Sequence, residues 1–515
     1  MIVGYWMSLN ALPAPSGALP QRPARLLLAS GGLWLLLAAA IGSLTWAAAH
    51  ESPATLLGLR VDRVTSTIAL LVTSIGLVAF RYAGRCLRGD RRQVEFQCWM
   101  AATVACAFAL SLADALSLLV IAWIAVGTCL DRLLRFFTDR PEAIATARRM
   151  LTLSRVGDVL MIAACLVAWH AWGSSTISDV AATALAAGGS PALATFALVL
   201  CVAVAIKSAQ VPMHQWLPDT TEAPTPVSAL LHAGIVNAGG ALLIRLAPVI
   251  ECVPEAWLLL SACGTMSIVA TAPATWFHAR VKTALAWSTV SQMGFMLVQC
   301  ALLAFPAALL HILGHGLYKA WSFMRSGEPL ADTPSTAPTA RRAIALLAVG
   351  TALSAISLAA WSNLFGLARE PSPGKLALLA IVALASGQCW VALLGRRRAR
   401  RGSTIARICA SVTMTIAAPA LACAAYSAGS WWMGPMKAAV HPQGAAAWIA
   451  AILPVAAVAI LAAIHAALPA LEGTRVGSRL RVHAASGFYV GIAAQRLIDR
   501  VFHIIRTTPT GVSRA

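Results

Sequence analysis

Apolar runs of membrane-spanning length follow one another through this chain with little between them but short loops. They fall near residues 26–49, 64–82, 96–112, 115–134, 153–172, 191–211, 226–246, 255–275, 283–304, 307–325, 342–361, 375–395, 406–429 and 446–469. A helix of about 20 apolar residues spans the ~30 Å hydrocarbon core of a bilayer. In lipid, every backbone polar group must be satisfied inside the spanning element, which leaves helices or closed barrels. The fold expected is therefore all-α, a polytopic membrane protein of about fourteen transmembrane helices. Charged residues make up only 11% of the 515 residues, far below the share in soluble domains. The expected layout is an N-terminal segment over 1–25, a transmembrane domain over 26–470 and a basic C-terminal segment over 471–515.

The net charge of +20 is distributed in a way that excludes a nucleic-acid groove. Basic residues cluster at Arg22/Arg25, Arg81–Arg92, Arg132–Arg149, Arg280/Lys282, Arg325/Arg341/Arg342 and Arg396–Arg407, and again after Arg475. The alternate loops near 50–63, 173–190, 247–254, 362–374 and 430–445 carry few. Fourteen spans put every basic cluster on one side together with both termini. By the positive-inside rule that side is the cytoplasm, and the basic loops lie beside anionic lipid. No secretory cleavage site is apparent at the N-terminus. The twelve cysteines are scattered singly, without a zinc or iron–sulfur spacing. There is no phosphate-binding loop, so neither a metal nor a nucleotide or flavin cofactor is expected in this chain.

Four polar constellations interrupt the apolar background. Lys207 and Ser208 precede Gln210, Pro212, His214 and Pro218, and the prolines break a helix and free backbone carbonyls, which is tolerated at membrane depth only beside protein or water. A lysine at such a break is either a switchable charge or a helix-end residue snorkelling to the headgroups. His232 lies almost two turns into a helix opened by Pro226, with Asn237 and Arg245 beyond it. It is either a proton relay or a hydrogen-bonded contact between helices. His311, His315 and Lys319 are spaced by fours, so they stack along ~12 Å of one helical face as a natural relay row. A zinc site at the two histidines lacks further ligands. Lys282, in Arg280-Val-Lys282-Thr-Ala-Leu-Ala-Trp-Ser288, is a relay group or a helix anchor.

These residues carry a resemblance. KSAQVPMHQWLPDTTEAPTPVSALLHA, RVKTALAWSTVSQMGFM, HILGHGLYKAWSFMRSG and Ser154-Arg-Val-Gly-Asp158 look like the antiporter-type membrane subunits of respiratory complex I and Mrp antiporters, over about 60–327. The resemblance implies that Lys207 is a central proton-carrying lysine on a broken helix, that His232 is a relay histidine, and that His311, His315 and Lys319 join two half-channels. One departure stands out. Family members carry a glutamate in a WEGVG motif, paired with the central lysine, whereas this chain reads Trp123-Ile124-Ala125-Val126-Gly127. Asp131, two turns on, is a candidate substitute or a helix-end carboxylate paired with Arg132 or Arg135. Asp158, Asp219 and Glu222 are further candidate tuning carboxylates. Beyond Glu328 the likeness fades, and Lys375 at the start of its span looks like an interface residue.

The altered glutamate site, EAPTPVSALLHAGIVNAGGALLIRLAPV, RFFTDRPEAIATARR and a late Ser-Gly-Phe-Tyr are more similar to one branch, the DabB membrane subunits of inorganic-carbon accumulation complexes. That likeness implies a peripheral zinc-bearing DabA-like partner, resembling a β-type carbonic anhydrase, on the cytoplasmic face. It also implies that a gradient of H⁺ or Na⁺ drives one-way CO2 hydration. A proton moving down ~100 mV supplies ~2.3 kcal/mol, enough for several tens-fold accumulation per charge. Two alternatives remain: a cation/proton antiporter subunit of Mrp type and a proton-pumping subunit of a quinone-linked respiratory complex. The latter is expected to add a long lateral helix that 470–515 is too short to supply with its anchor.

Overall fold

The computed structural model describes residues 24–186, 188–328, 335–336, 338–369, 372–395, 397–398, 404–434, 444–496 and 500. Most of the expected N-terminal segment 1–25, the tail beyond Arg500 and the basic residues Arg396, Arg400 and Arg401 lie outside them. The chain is helical: α1 Ala24–Ala49, α2 Arg63–Cys86, α3 Gln93–Leu112, α4 Leu116–Leu134, α5 Pro141–Trp172, α6 Ile177–Ala186, α7 Pro191–Lys207, α8 Thr225–Ala233, α9 Ala238–Arg245, α10 Pro254–Phe277, α11 Val281–Ala301, α12 Phe305–Met324, α13 Ala340–Leu364, α14 Pro373–Trp390, α15 Thr404–Met433, α16 Ala445–Leu471 and α17 Arg475–Ala485.

Eleven helices among the described residues are long and apolar enough to cross a membrane, α8 and α9 counting together as Thr225–Arg245. The remaining three of the fourteen expected segments are helical as well. However, α7 has only 17 residues, and the hydropathy of α11 and α12 is diluted by polar residues such as Lys282, Gln292, His311, His315 and Lys319. The departures from pure helix are small. Ala54–Leu56 and Leu59–Val61 form an antiparallel hairpin, and Ser335–Thr336 pairs with Arg397–Arg398.

Local chemistry sets the helix ends. Asp62 and Thr65 form a reciprocal capping box at the start of α2, satisfying two otherwise orphaned N–H groups. Ser190 caps α7 ahead of Pro191. Two helix breaks lie side by side at the centre. The first spans 208–215, between α7 and a single turn at Trp216–Asp219. The second was not foreseen from the sequence: α8 ends at Ala233, a 3₁₀ turn covers Ile235–Asn237, and α9 resumes at Ala238. Ser208 Oγ donates to Val236 O across the two breaks at 3.2 Å, and Asn237 Nδ2 donates to Ala233 O at 2.7 Å. The backbone groups freed in one helix are thus held by protein rather than exposed to lipid.

Thr225–Arg245 is the most enclosed span, with 94% of its central window buried. It is wrapped by α2, α3, α7, α11 and α12. One hydrophobic core runs from α1 to α12 and takes in Met433, Ala447 and Ala450 from the later helices. Helices α13–α16 pack mainly on one another with smaller apolar clusters, joined to the main unit through α10–α16 and α12–α15 contacts. Helices α10 and α11 cross closely: a Cβ at Gly264 would lie 2.4 Å from Gly294 O. Such small-residue crossings are how helices without a hydrophobic drive between them associate in lipid.

Candidate ion-translocation site

Lys207 ends α7 inside the protein rather than at its surface. Its Nζ donates to Trp123 O at 2.9 Å and to Ser154 Oγ at 3.0 Å, and lies 3.4 Å from Asp158 Oδ1. It also sits 4.9 Å from the centre of the Trp123 ring, a cation–π contact. The side chains of Lys207 and Asp158 are 7% and 4% exposed, which excludes the snorkelling alternative. Ser154 and Asp158 are four residues apart on α5 and so present one face to α7. Gly127 on α4 completes the cradle. A Cβ there would meet Ser154 Oγ at 2.6 Å and Lys207 Nζ at 3.3 Å, so the lysine occupies the volume that any larger residue would fill.

The counter-charge is therefore Asp158, not Asp131. Asp131 forms an ion pair with Arg135 at 2.8 Å, one turn along its own helix. Asp158 is shared: its Oδ2 accepts from Arg155 Nη1 at 2.9 Å, while Arg155 Nη2 donates to Thr128 Oγ1 at 2.7 Å. Asp219 and Glu222 do not reach the lysine either. Arg149 binds Asp219 at 3.2 Å and Arg140 binds Glu222 at 3.4 Å, tying the loop after the first break to the start of α5. Burial raises the Asp219 carboxyl above its ordinary value, opposed by hydrogen bonds from Gln215 and Arg149.

The second group gathers around α12. His315 and Lys319 are buried and His311 is partly so, all three on one face. The His311 and His315 rings are 5.7 Å apart. His311 Nδ1 pairs with Gln299 Oε1 at 2.8 Å, His315 Nε2 donates to His232 O at 3.2 Å, and Lys319 Nζ donates to Leu285 O at 2.7 Å. His232 joins the row through its main chain and by stacking on Phe323 at 4.5 Å, while both its ring nitrogens lack a hydrogen-bond partner. Lys282 stands apart near the start of α11, its Nζ 3.4 Å from Ala223 O. Lys375 sits in the first turn of α14, where Ser372 accepts from its backbone N–H.

Two cavities lie in this region, sharing Val126 and Ile235 in their walls. One is lined by Gly127, Met150, Ser154, Lys207 and Trp216. The other runs past Trp123, Asn237 and Ile312 to Arg245. At that far end Arg245 Nη2 donates to Ala113 O at 2.5 Å and lies 3.8 Å from Asp114 Oδ1, while Ser178 Oγ donates to Asp114 at 2.9 Å. Buried polar atoms without a partner line this central region: Trp123 Nε1, Gln210 Oε1, Trp216 Nε1, His232 Nδ1 and Nε2, and Asn237 Oδ1. Buried groups are normally hydrogen-bonded, so several unpartnered atoms in one apolar interior set this region apart. Ser154 and Asn237 belong to the sequence motifs around Asp158 and His232 without a role of their own, and Gln299 lies outside every motif; their signal is a polar residue inside an apolar run, four residues from Asp158, from Ala233 and within reach of His311 respectively. Among the described residues no three His, Cys, Asp or Glu side chains converge on a metal position.

Comparison with known proteins fits this geometry. The family described as NADH:quinone oxidoreductase/Mrp antiporter, transmembrane region, matches residues 113–369, which hold Lys207, Asp158 and the α12 row. The chain is 38% identical over 276 residues, 53% of its length and 53% of the relative's, to a protein named "Probable inorganic carbon transporter subunit DabB" from Hydrogenovibrio crunogenus. It is 35% identical over 335 residues, 64% of its length and 61% of the relative's, to "Probable inorganic carbon transporter subunit DabB2" from Halothiobacillus neapolitanus. The chain thus spans a little more than half the length of these relatives. Its fold resembles a chain of the Mrp complex from Dietzia sp. DQ12-45-1b, with a TM-score of 0.53 at 24% identity, covering 95% of this chain and 56% of that one.

Proposed function

Since this chain belongs to the NADH:quinone oxidoreductase/Mrp antiporter family of membrane subunits, we propose that it is the ion-translocating subunit of an energy-coupled inorganic-carbon accumulation complex. In this reading a gradient of H⁺ or Na⁺ drives one-way hydration of CO2 by a peripheral, zinc-bearing partner, and bicarbonate is trapped in the cell. Zinc in the partner would supply the hydroxide that attacks CO2, releasing a proton. Ion movement down its gradient through this chain, coupled to removal of that proton from the partner's site, gives an otherwise reversible hydration its direction. The two relatives named as DabB subunits support the choice of complex.

The observation that carries the ion-moving role is the Lys207–Asp158 pair at 3.4 Å, buried at a helix break, with Lys207 lining a cavity. An ionisable pair in a membrane interior is expensive and persists where charge must pass. Asp158 supplies from α5 the counter-charge that the resemblance to antiporter and complex I subunits places at the position of Ile124. Protons then step between Lys207, the polar groups around Asn237, and the row of His232, Lys319, His315 and His311. The face carrying Arg140, Arg149, Asp219 and Glu222 is assigned to the cytoplasm, with both termini, and to the partner. Basic loops near 81–92, 132–149 and 396–407 favour an acidic partner surface and a salt-sensitive encounter. Within these loops Arg92, Arg135, Arg140 and Arg149 are already engaged by Glu95, Asp131, Glu222 and Asp219.

Purifying the tagged chain from its own membranes and identifying what accompanies it tests the assignment. A large zinc-bearing protein is expected. A set of small antiporter subunits would instead make the chain an Mrp-type antiporter component, and dehydrogenase subunits would make it part of a respiratory complex.

A further inference from the structure

A further buried histidine lies where the broken helix meets the end of the described chain. His214 is fully buried in the turn between α7 and Trp216–Asp219, and neither ring nitrogen has a hydrogen-bond partner. Its ring meets Trp287 of α11 edge-on at 5.6 Å, and Trp287 in turn stacks with His278 at 5.9 Å. Two residues on, Trp216 lines the cavity that holds Lys207, and its Nε1 is unpartnered as well. Gln210, with a free Oε1, lies in the same break. Unpartnered polar atoms of His214, Gln210 and Trp216 thus share one break, and Trp216 lines the cavity of Lys207.

What covers His214 is backbone. After α17 the chain turns through Gly487, Phe488 and Tyr489 with φ of 56°, 51° and 63°. A Cβ on Gly487 would come within 2.7 Å of the Trp287 ring. One on Gly491 would come within 2.6 Å of Gln215 Oε1 and 3.0 Å of His214 Cε1. His278 Nε2 bonds Ala485 O at 3.1 Å and ties the turn down. Left-handed backbone at two successive non-glycine residues is strained and persists only where its surroundings hold it. This cover is therefore a contact of bare main chain on an imidazole, held by one histidine bond and close packing. Exposed Phe488 and Tyr489 form its outer side.

We propose that His214 is a further proton-path residue, connecting the face of the basic loops to the Lys207 cavity, and that the turn Gly487–Gly491 is its removable cover. This rests on the reading of Lys207 as the switchable charge. An imidazole donates and accepts at different nitrogens and so passes a proton without moving far. With the turn seated, the ring is sealed from the surface. With the turn lifted, the ring opens to the side on which the partner is assigned, and a partner that engages Phe488 and Tyr489 would link docking to proton access.

Two measurements on the full-length chain in membranes test this, with membrane levels of each variant compared. In a background whose native cysteines are replaced by serine, His214→Cys is expected to resist a membrane-impermeant maleimide. Adding Gly491→Val, or separately Gly487→Ala, is expected to raise its labelling rate at least tenfold. Equal rates with and without these substitutions would overturn the cover. In the native background, His214→Ala is expected to lower gradient-driven carbon uptake at least tenfold and to regain activity when imidazole is added to the medium, whereas a merely structural loss would not respond to imidazole. Uptake at the wild-type level in His214→Ala would overturn the relay. Lys207→Ala, run alongside, separates the failures. An active Lys207→Ala overturns the underlying reading, while an inactive one beside a normal His214→Ala overturns only this inference.

Discussion

Replacing Asp158 by asparagine withdraws the charge from the lysine cradle while leaving its shape almost intact. The Lys207 Nζ to Asp158 Oδ1 distance is 3.4 Å, and at an effective dielectric of ~20 a unit pair at that separation attracts by about 5 kcal/mol. Arg155, the other partner of Asp158, is 42% exposed, so it finds water when the carboxylate is lost and contributes little to the penalty. If relaxation and entering water recover half of the lysine term, roughly 2.5 kcal/mol remains, and at 1.36 kcal/mol per decade that is a loss of about fifty- to a hundredfold in a step requiring charged Lys207. The assay is gradient-driven inorganic-carbon uptake by cells expressing the chain with its partner. A compensating change is available. Gly127 abuts Lys207, and Ile124 lies one turn before it on the same face of α4, so a glutamate there points at the cradle. Adding Ile124→Glu to Asp158→Asn is expected to restore at least tenfold of the loss. Asp158→Asn within threefold of wild type would refute the reasoning.

Lys207→Ala is expected to abolish uptake while leaving the chain in the membrane, measured by immunoblot of membrane fractions beside the uptake assay, and near-normal uptake would remove the lysine from the path. His315→Ala and Lys319→Ala are each expected to be severely impaired and the double variant little worse than either, because members of one relay do not lose additively; mild, additive losses would make the row mere packing. Gly127→Ala places a methyl 2.6 Å from Ser154 Oγ and 3.3 Å from Lys207 Nζ, so uptake should fall at least tenfold with a far smaller effect on membrane level. Topology is read from a cysteine at partly exposed Thr221, in the loop that carries Asp219 and Glu222. Labelling there from the cytoplasmic side alone is expected, and labelling only from outside would reverse the orientation.

Most of the architecture was legible because bilayer physics leaves few choices. Each apolar run became a helix, Pro212 and Pro218 marked the first break, and steps of four placed His311, His315 and Lys319 on one face. What the spacing did not reveal was contact between helices distant in sequence. Asp131 lies two turns from Ile124 on the same helix and so presented itself as the replacement carboxylate. Yet α5 packs on α7, and that crossing delivers Asp158 from 49 residues away to the lysine. The second break passed unnoticed because Gly234-Ile-Val-Asn237 is apolar enough to continue a helix. Its purpose emerges only when Ser208 is seen donating to Val236. The loop carboxylates Asp219 and Glu222 are charged and near the break in sequence, but two arginines of α5's first turns had already claimed them.

The coupling of ion movement to carbon hydration is tested most directly in membrane vesicles carrying the chain and its partner, by imposing a pH gradient or, separately, a sodium gradient and following bicarbonate formation from CO2. The account predicts that bicarbonate formation rises with one of these gradients, stops when an ionophore collapses it, and loses all response to it in Lys207→Ala. A rate indifferent to both gradients in the wild type, or a gradient response unchanged in Lys207→Ala, would contradict it.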